Sequence, residues 1–478
     1  GGECCIVADI FRAGQFELQT AKIISASSKE VDVTLSTISV TIFEDISKFA
    51  ISGSILIHDS INLASFFPLV GQEYLLLKLA TASTTGKNQI VDFTKNALSV
   101  TKISSRVDIG NGVQAYNVNF TSRELLVDQR VRVNQSLKGS SSDIVKQIFT
   151  SNIGTKKNLN IEPSADNRKI VSPNKRPFEL ITDIARSAVS RLDNDPCYIC
   201  YETTKGFNFR TLASMYAQPS AIEYTEFIEG TKTPKGAVNL EADFSNLLEF
   251  SIISTQDTIY ASRVGTYASN LYVHDIVSKN YQKYTYNYID NFDSESHIES
   301  TNGRFRGESV EDFPIVSDLT ITKDNKRISD FPARTFVQPS SGLGADNSHV
   351  NDFGQFLFTS NSPERSLQRR NSQIEQLKMA YAVQIQVNGN TAISAGDIVD
   401  INLPYTASTK TTKNEKFDNI YQGKFLISKL RHDFSVVGKE HLMRIHAVKD
   451  SLKTKLPSSQ NPEIIDEGEQ DINESFYD

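Results

Sequence analysis

The chain has 478 residues and a formal net charge of −7; 39% of it is apolar and 22% charged, with 27 Phe, 17 Tyr and no Trp. That length exceeds one core and predicts about three domains of about 150 residues each, while no apolar run approaches the about 18 residues of a helical membrane span. Residues 457–478 hold seven acids (Glu463, Asp466, Glu467, Glu469, Asp471, Glu474, Asp478) and no Lys or Arg, so the rest is near neutral, which argues against a basic nucleic-acid footprint.

In chain order, residues 1–30 read as an N-terminal arm. Short strands follow over 31–132. Val31, Val33 and Leu35 alternate, then Ile38, Val40 and Ile42, then 51–57, 74–79 and 97–103, then Tyr116, Val118 and Phe120. Strands of this length and spacing predict a sandwich or barrel. Within them, residues 61–70 (INLASFFPLV) are apolar at helical spacing and end at Pro68 and Gly71, as a short helix or loop plugging one end of the barrel would.

The pattern changes at 133–216, which predict an α+β domain. Ser140 is a helix N-cap with Asp143 in the first turn, and Ile144, Val145, Ile148 and Phe149 form the apolar stripe. Pro177 suits the first position of a second helix. Phe178, Ile181, Ile184, Ala185, Ala188 and Leu192 give it one apolar face over about four turns, ended by 193–196. Cys197, Ile199 and Tyr201 then alternate up to a turn at 203–206, and Phe207, Phe209 and Thr211 alternate after it, as a hairpin requires.

Strand character returns with Leu248, Phe250 and Ile252 and with a Tyr-rich run at 281–288. Residues 291–361 are polar and predict loops with few regular elements. Ser362 and Pro363 open a helix lined by Leu367, Ile374, Leu377 and Tyr381. The closing strands are marked by Val383, Ile385 and Val387, then 398–403, 425–430 and 442–448, with a polar loop at 406–419. The acidic end carries too little apolar surface to fold alone.

No constellation announces chemistry. Cys4, Cys5, Cys197 and Cys200 are too few for a disulfide framework and point to a reducing compartment, and no charged segment precedes a hydrophobic stretch as in a secretory signal. Cys197 and Cys200 form a CxxC inside a strand, where residues three apart point to opposite faces, so neither a redox pair nor a metal site is expected. The histidines are His58, His274, His297, His349, His432, His441 and His446. Three precede Asp directly, but strand neighbours point apart; His441 and His446 differ in parity, and strand-surface positions are expected for them. Nucleophile-elbow, Walker A, HExxH and Rossmann signatures are absent. A carboxylate pair for glycoside cleavage carries no fixed spacing and so stays open. The expected site inventory is therefore empty: no catalytic residue, no cofactor, no metal.

Three segments resemble the central hub proteins of contractile phage tails, a family that includes the late control protein D group and the N-terminal half of type VI secretion spike proteins. The first is ISGSILIHDSINLASFFPLVGQEYLLLKL, with Gly53, Asp59, Leu63, Pro68, Gly71 and Glu73 placed as in hub proteins, followed by FTSRELLVDQRVRVNQS. The second is the helix-hairpin block with SLKGSSSDIVKQIF before it. The third is NGNTAISAGDIVDINLP with YQGKFLISKLRHDF, where Gly396, Asp397 and Gly423 match and Arg431 and His432 begin the last hairpin. Together they span most of 30–450.

The resemblance implies a mainly β fold with an α+β insert: tube-type barrels at 31–132 and at 217–290 with 380–452, the helix-hairpin domain at 133–216, a loop-rich insertion at 291–379 and an acidic tail at 453–478. It implies a non-enzymatic homotrimer in which six similar barrels surround one axis, adapting a six-fold tail tube to a three-fold spike. Implied partners are the central spike, tail tube or tube-initiator proteins, baseplate wedge proteins and the tape measure protein. DNA would pass through without sequence-specific binding, which favours a lumen without a basic lining. Assembly in the host cytoplasm into the virion tail baseplate follows from the same likeness. The insertion and the tail depart from the family; they are expected to contact neighbouring baseplate proteins and the spike or wedge. The alternatives are a tail-associated peptidoglycan hydrolase and a receptor-binding tail protein.

Overall fold

The computed structural model describes residues 12–453 apart from 26, 68, 84–87, 227–239, 255–256, 276–278, 301–312, 316–325, 341–363, 380 and 405–416. The chain is mainly β. Its first strands are β1 (Phe16–Ile24), β2 (Glu30–Asp32), β3 (Thr37–Asp45) and β4 (Ser52–Asp59); a single helical turn, α1 (Leu63–Phe66), precedes β5 (Tyr74–Thr81), β6 (Gln89–Asp92), β7 (Leu98–Gly110) and β8 (Val113–Ser122). They pair in the order β2-β1-β5-β7-β8-β4-β3, with β6 on β5. Alternation drives the inward set, because Leu75, Leu77 and Leu79 fall on one face of β5 and Ile55 and Ile57 on one face of β4, all fully buried.

Two expectations change here, and a third holds. Phe16–Ile24, read as part of an arm, is a strand paired to β5 along its whole length. Leu35 is fully exposed, because the chain turns at 34–36 and only 30–32 are extended. The 61–70 segment plugs the core with Leu63 and Phe67, while Ile61, Phe66 and Val70 face outward; Pro68 lies outside the described residues.

The middle segment starts with α2 (Arg123–Arg130), β9 (Ser136–Gly139) and α3 (Ser141–Gln147), which runs on into a π-helical turn (Ile148–Ile153). Ser140 caps α3, its hydroxyl accepting the Asp143 N–H at 3.1 Å. Next come β10 (Leu159–Ile161), β11 (Arg168–Val171) and α4 (Pro177–Ser187). Pro177 occupies the first turn of α4, and the N-terminal N–H of Phe178 is satisfied from outside the helix, by the Asp128 carboxylate of α2 at 2.7 Å. The helix stops about one turn before the expected end. Ser190 bridges to Ser164 and gives its hydroxyl to Glu162 at 2.6 Å, so the chain leaves helical geometry at Ala188 and Leu192 is exposed. The hairpin is β12 (Tyr198–Thr203) and β13 (Gly206–Thr211), closed by Thr204 and Lys205 and followed by α5 (Leu212–Tyr216).

The remaining elements are β14 (Ser220–Glu226), α6 (Leu240–Ser245), β15 (Asn246–Ser254), α7 (Thr258–Val264), β16 (Ala268–Asp275), β17 (Asn280–Asn287), α8 (Tyr288–Asn291), β18 (Phe313–Pro314), β19 (Arg334–Ser340), α9 (Arg370–Met379), β20 (Tyr381–Asn388), β21 (Ile398–Pro404), β22 (Phe417–Ser435), β23 (Glu440–Lys449) and β24 (Ser451–Leu452). Six strands close a barrel in the cyclic order β22-β21-β14-β15-β20-β23. Expected in that barrel, the Tyr-rich run forms β17 instead, in a separate sheet with β16 and β19. The insertion is therefore more regular than its polarity suggests, since β19 pairs parallel to β16 over seven residues. Tyr381 begins β20 rather than lining α9, and Phe417 already belongs to β22, so the 406–419 loop is shorter than expected at its end. Residues 362–363 and the acidic end beyond 453 lie outside the described residues.

β22 joins the two β regions. At 19 residues it is long enough to close the second barrel and pair antiparallel with β3, from Lys429 with Asp45 to Ser435 with Ser39. The result is one continuous antiparallel sheet, β7-β8-β4-β3-β22-β23-β20-β15. Its two halves repeat one topology. In each, the first strand in sequence (β3 or β15) lies at one end and the second (β4 or β20) beside it. The third (β7 or β22) lies at the far end, with its hairpin partner (β8 or β23) inside.

Candidate assembly face

The six inner strands of the shared sheet alternate, so one face is core and the other is open. Inward point Val40, Ile42, Ile55, Val118, Leu430, Ile445 and Ile385, all buried. The open face carries Thr41, Phe43 and Asp45 from β3, Lys429, Arg431 and Asp433 from β22, Arg444 and His446 from β23, and Gln384 and Gln386 from β20. Polar pairs cross its strands: Thr41 Oγ1 donates to Asp433 Oδ1 at 3.0 Å and Arg444 Nε to Gln386 Oε1 at 2.9 Å, while along β22 Arg431 Nε donates to the same Asp433 oxygen at 2.8 Å. Cross-strand contacts of this kind fix a flat face without covering it. A cleft over the β3–β22 joint is lined by Phe43, Asp45, Lys48, Lys429, Arg431 and Arg444, and the Arg431 guanidinium sits 5.6 Å from the centre of the Phe43 ring.

Behind this face, buried carboxylates tie neighbouring segments together. Glu44 accepts the Thr204 N–H at 2.7 Å and the Ala395 N–H at 2.8 Å, so β3 holds both the middle hairpin and a loop of the second barrel. Burial raises its carboxyl to about 7. Glu202 accepts the Ile51 N–H at 3.0 Å and takes Lys157 Nζ at 2.6 Å, while the same ammonium reaches Glu124 at 2.7 Å. Burial likewise lifts Glu295 to about 7 and Asp195 to about 6. Backbone N–H groups occupy both oxygens of Glu44 and Asp195 and one oxygen of Glu202, which makes the three carboxylates braces between segments.

The histidines correct an expectation. His297, His432 and His441 are buried rather than on strand surfaces. His432 Nδ1 lies 3.0 Å from His441 Nε2, and the His441 ring stacks on Phe434 at 4.0 Å, where β22, β23 and the start of β1 meet. Cys197 and Cys200 do face opposite ways, Cys197 towards α9 with its thiol 2.7 Å from Gln373 Oε1, Cys200 into the core of the middle segment. Among the described residues, no three His, Cys, Asp or Glu side chains cluster to hold a metal.

Residues that carried the family resemblance shape the chain. Asp59 Oδ1 accepts the N–H groups of Ile61 and Leu63, and Glu73 those of Val70, Gly71 and Gln72, so two carboxylates fold the 61–72 loop. Gly53 lies against Thr41 O and the Phe120 ring, and Gly396, at φ 90°, lies against the Tyr201 hydroxyl. What sequence reasoning missed was Glu44, His432 and His441. Their signal was phase: each falls at an inward position of an otherwise apolar alternation, Val40-Ile42-Glu44, Leu430-His432-Phe434 and His441-Met443-Ile445.

No protein-family profile matches the chain. The probable baseplate hub protein gp334 of Vibrio phage KVP40 is 22% identical over 388 residues, which cover 80% of this chain and 83% of that protein. The chain resembles a phage baseplate hub protein. Solved structures of similar shape include a tail protein from Neisseria meningitidis MC58 (TM-score 0.47, 10% identity, 91% of this chain and 97% of that one). Another is the 43 kDa tail protein of prophage MuSo2 from Shewanella oneidensis (0.46, 8%, 90% and 98%). A third is the E. coli c3393 protein, a component of the type VI secretion system (0.40, 8%, 94% and 80%).

Proposed function

We propose that the chain is a structural baseplate hub of a phage tail, a homotrimer whose two β regions per copy build a ring of six similar units around a channel. The observation that carries this reading is the repeated four-strand topology joined through β3 and β22 into one sheet. Two equivalent units in each of three copies are what a device needs that meets six-fold symmetry on one side and three-fold on the other. The sequence likeness to a probable hub protein over 80% of the chain supports the same assignment.

In this reading the open face of the shared sheet lines the channel through which DNA and tape measure protein pass. Its cleft would then be more basic than expected of a lumen, with Lys48, Lys429, Arg431 and Arg444 against Asp45 and Asp433. Arg431 is held by Asp433, so part of that charge is neutralised in place. The middle segment, 133–216, braces the outside of the ring. The sheet of β16, β17 and β19 would meet wedge proteins and the acidic tail the spike, with tube or tube-initiator proteins stacked on the ring.

Light scattering of the full chain, alone and with the candidate spike protein, tests the proposal. A trimer that binds spike is expected; a monomer that ignores spike defeats it. Cell-wall cleavage abolished by one carboxylate substitution would instead favour the hydrolase reading.

A further inference from the structure

The shared eight-stranded sheet ends in two strand edges. Beyond Leu98 and Ser99, which pair with β5, no described strand pairs with the outer edge of β7, while its inner edge pairs with β8 as far as Gly110. At the other end, β15 meets β14 only at Asn246 and Leu247, and among the described residues nothing pairs with its outer edge over 248–254. Both edges carry exposed apolar side chains: Val107 and Ile109 are 58% exposed, and Leu248, Ile252 and Ile253 are 46% exposed. Long apolar edges invite pairing with another chain.

We propose that these two edges are complementary halves of one seam, with β7 of one copy over 102–110 pairing antiparallel with β15 of the next over 248–254. This rests on the trimeric-ring reading and specifies its contacts. Three observations support it. All seven pairings within the sheet are antiparallel and its strands number eight, so the end strands run in opposite directions and head-to-tail copies meet antiparallel. The topological repeat makes β15 the counterpart of β3 and β7 the counterpart of β22, and β3 already pairs with β22 within the chain over seven residues. The proposed seam is that joint again, between copies. Finally, β7 shifts register three times, between Val100 and Lys102, Ser104 and Val107, and Asp108 and Gly110, irregularities that discourage pairing with an arbitrary strand.

The equivalence also sets a register. Gly110 closes its hairpin against Val113 as Ser435 does against Glu440, and five positions on lie Val118 and Ile445. These lead through Ile55 to Val40 and through Ile385 to Phe250. Since Phe434 pairs with Val40, Ile109 falls opposite Phe250 of the next copy and Val107 opposite Ile252.

Cysteine cross-linking of the full chain tests this. In a Cys4→Ser, Cys5→Ser background, Val107→Cys with Ile252→Cys should give covalent dimers and trimers on mild oxidation, and either substitution alone should not. A trimer by light scattering without cross-links overturns the seam but leaves the ring reading standing. A monomer at every concentration, with and without spike protein, overturns both. As a second arm, Val107→Asp with Ile109→Asp changes only side chains already exposed in one copy. It should weaken self-association by about tenfold or more with the thermal midpoint of the separated chain unchanged; undiminished association overturns the seam.

Discussion

One carboxylate oxygen of Glu44 accepts the backbone N–H of Thr204 at 2.7 Å, while its other oxygen holds Ala395 at 2.8 Å. A single side chain thereby fixes the middle hairpin and a loop of the closed barrel to the strand where the two β regions join. Replacing it with Ala would leave two buried N–H groups without acceptors, at about 1–3 kcal/mol each. We expect Glu44→Ala to lose about 2–5 kcal/mol in denaturant unfolding, and Glu44→Gln, which keeps one acceptor oxygen, to lose less. Equal losses in both would refute the two-acceptor account.

Stability against pH should carry two opposed signatures. Burial lowers His432 from 6.5 to about 4 and holds His441 low as well. Between those values the unfolded chain binds more protons, so this contribution is present above about 6.5 and is lost as pH falls towards 4. Glu44 runs the other way: its folded value of about 7 exceeds the unfolded 4.5, so its contribution is full below 4.5 and lost as pH rises through 7. His432→Gln should therefore flatten the loss of stability on acidification, and Glu44→Gln the loss on raising pH. Unfolding midpoints from pH 4 to 8 would decide; parallel curves for wild type and both variants would contradict the assignment.

Lys157 is nearly buried between Glu124 and Glu202. Removing one partner of a buried ionic group typically costs about 3–5 kcal/mol, because the remaining charge stays unpaired. Lys157→Met should reach that range, and adding Glu124→Gln and Glu202→Gln should recover part of it. No recovery in a calorimetric series would mean that the contact of the ammonium with the Phe207 ring, 5.5 Å from its centre, rather than its two carboxylate partners, dominates.

A methyl group at Gly53 would overlap Thr41 O of the neighbouring strand and the Phe120 ring. The backbone carbonyl cannot move aside without breaking the β3–β4 ladder, so Gly53→Ala should destabilise by about 1–3 kcal/mol or more. Adding Phe120→Leu should relieve only the ring contact. Full rescue by that second change would show that the backbone approach is unimportant.

Much of the local structure was legible because it is set by nearest neighbours. Ser140 and Pro177 mark helix starts through groups they offer or lack, and the two-residue turn at Thr204 and Lys205 follows from alternation on either side. The end of α4 was not legible, since Ser190 leaves the helix for Glu162, a partner 28 residues away in sequence. The same holds for β17, whose Tyr-rich alternation fits any sheet, and for its neighbour β16, whose second partner β19 lies beyond a polar stretch.

Alone, the sequence determined which apolar faces could be inside and where most strands of the two β regions lie, because those properties depend on spacing along the chain. Tertiary structure decided which strands share a sheet: β22 could have ended at its own barrel, yet its added length pairs with β3. It also decided that inward Glu44 would find its donors in the N–H groups of Thr204 and Ala395. Burial of a polar group is tolerable only where distant segments bring the matching donor or acceptor, and spacing carries no record of that.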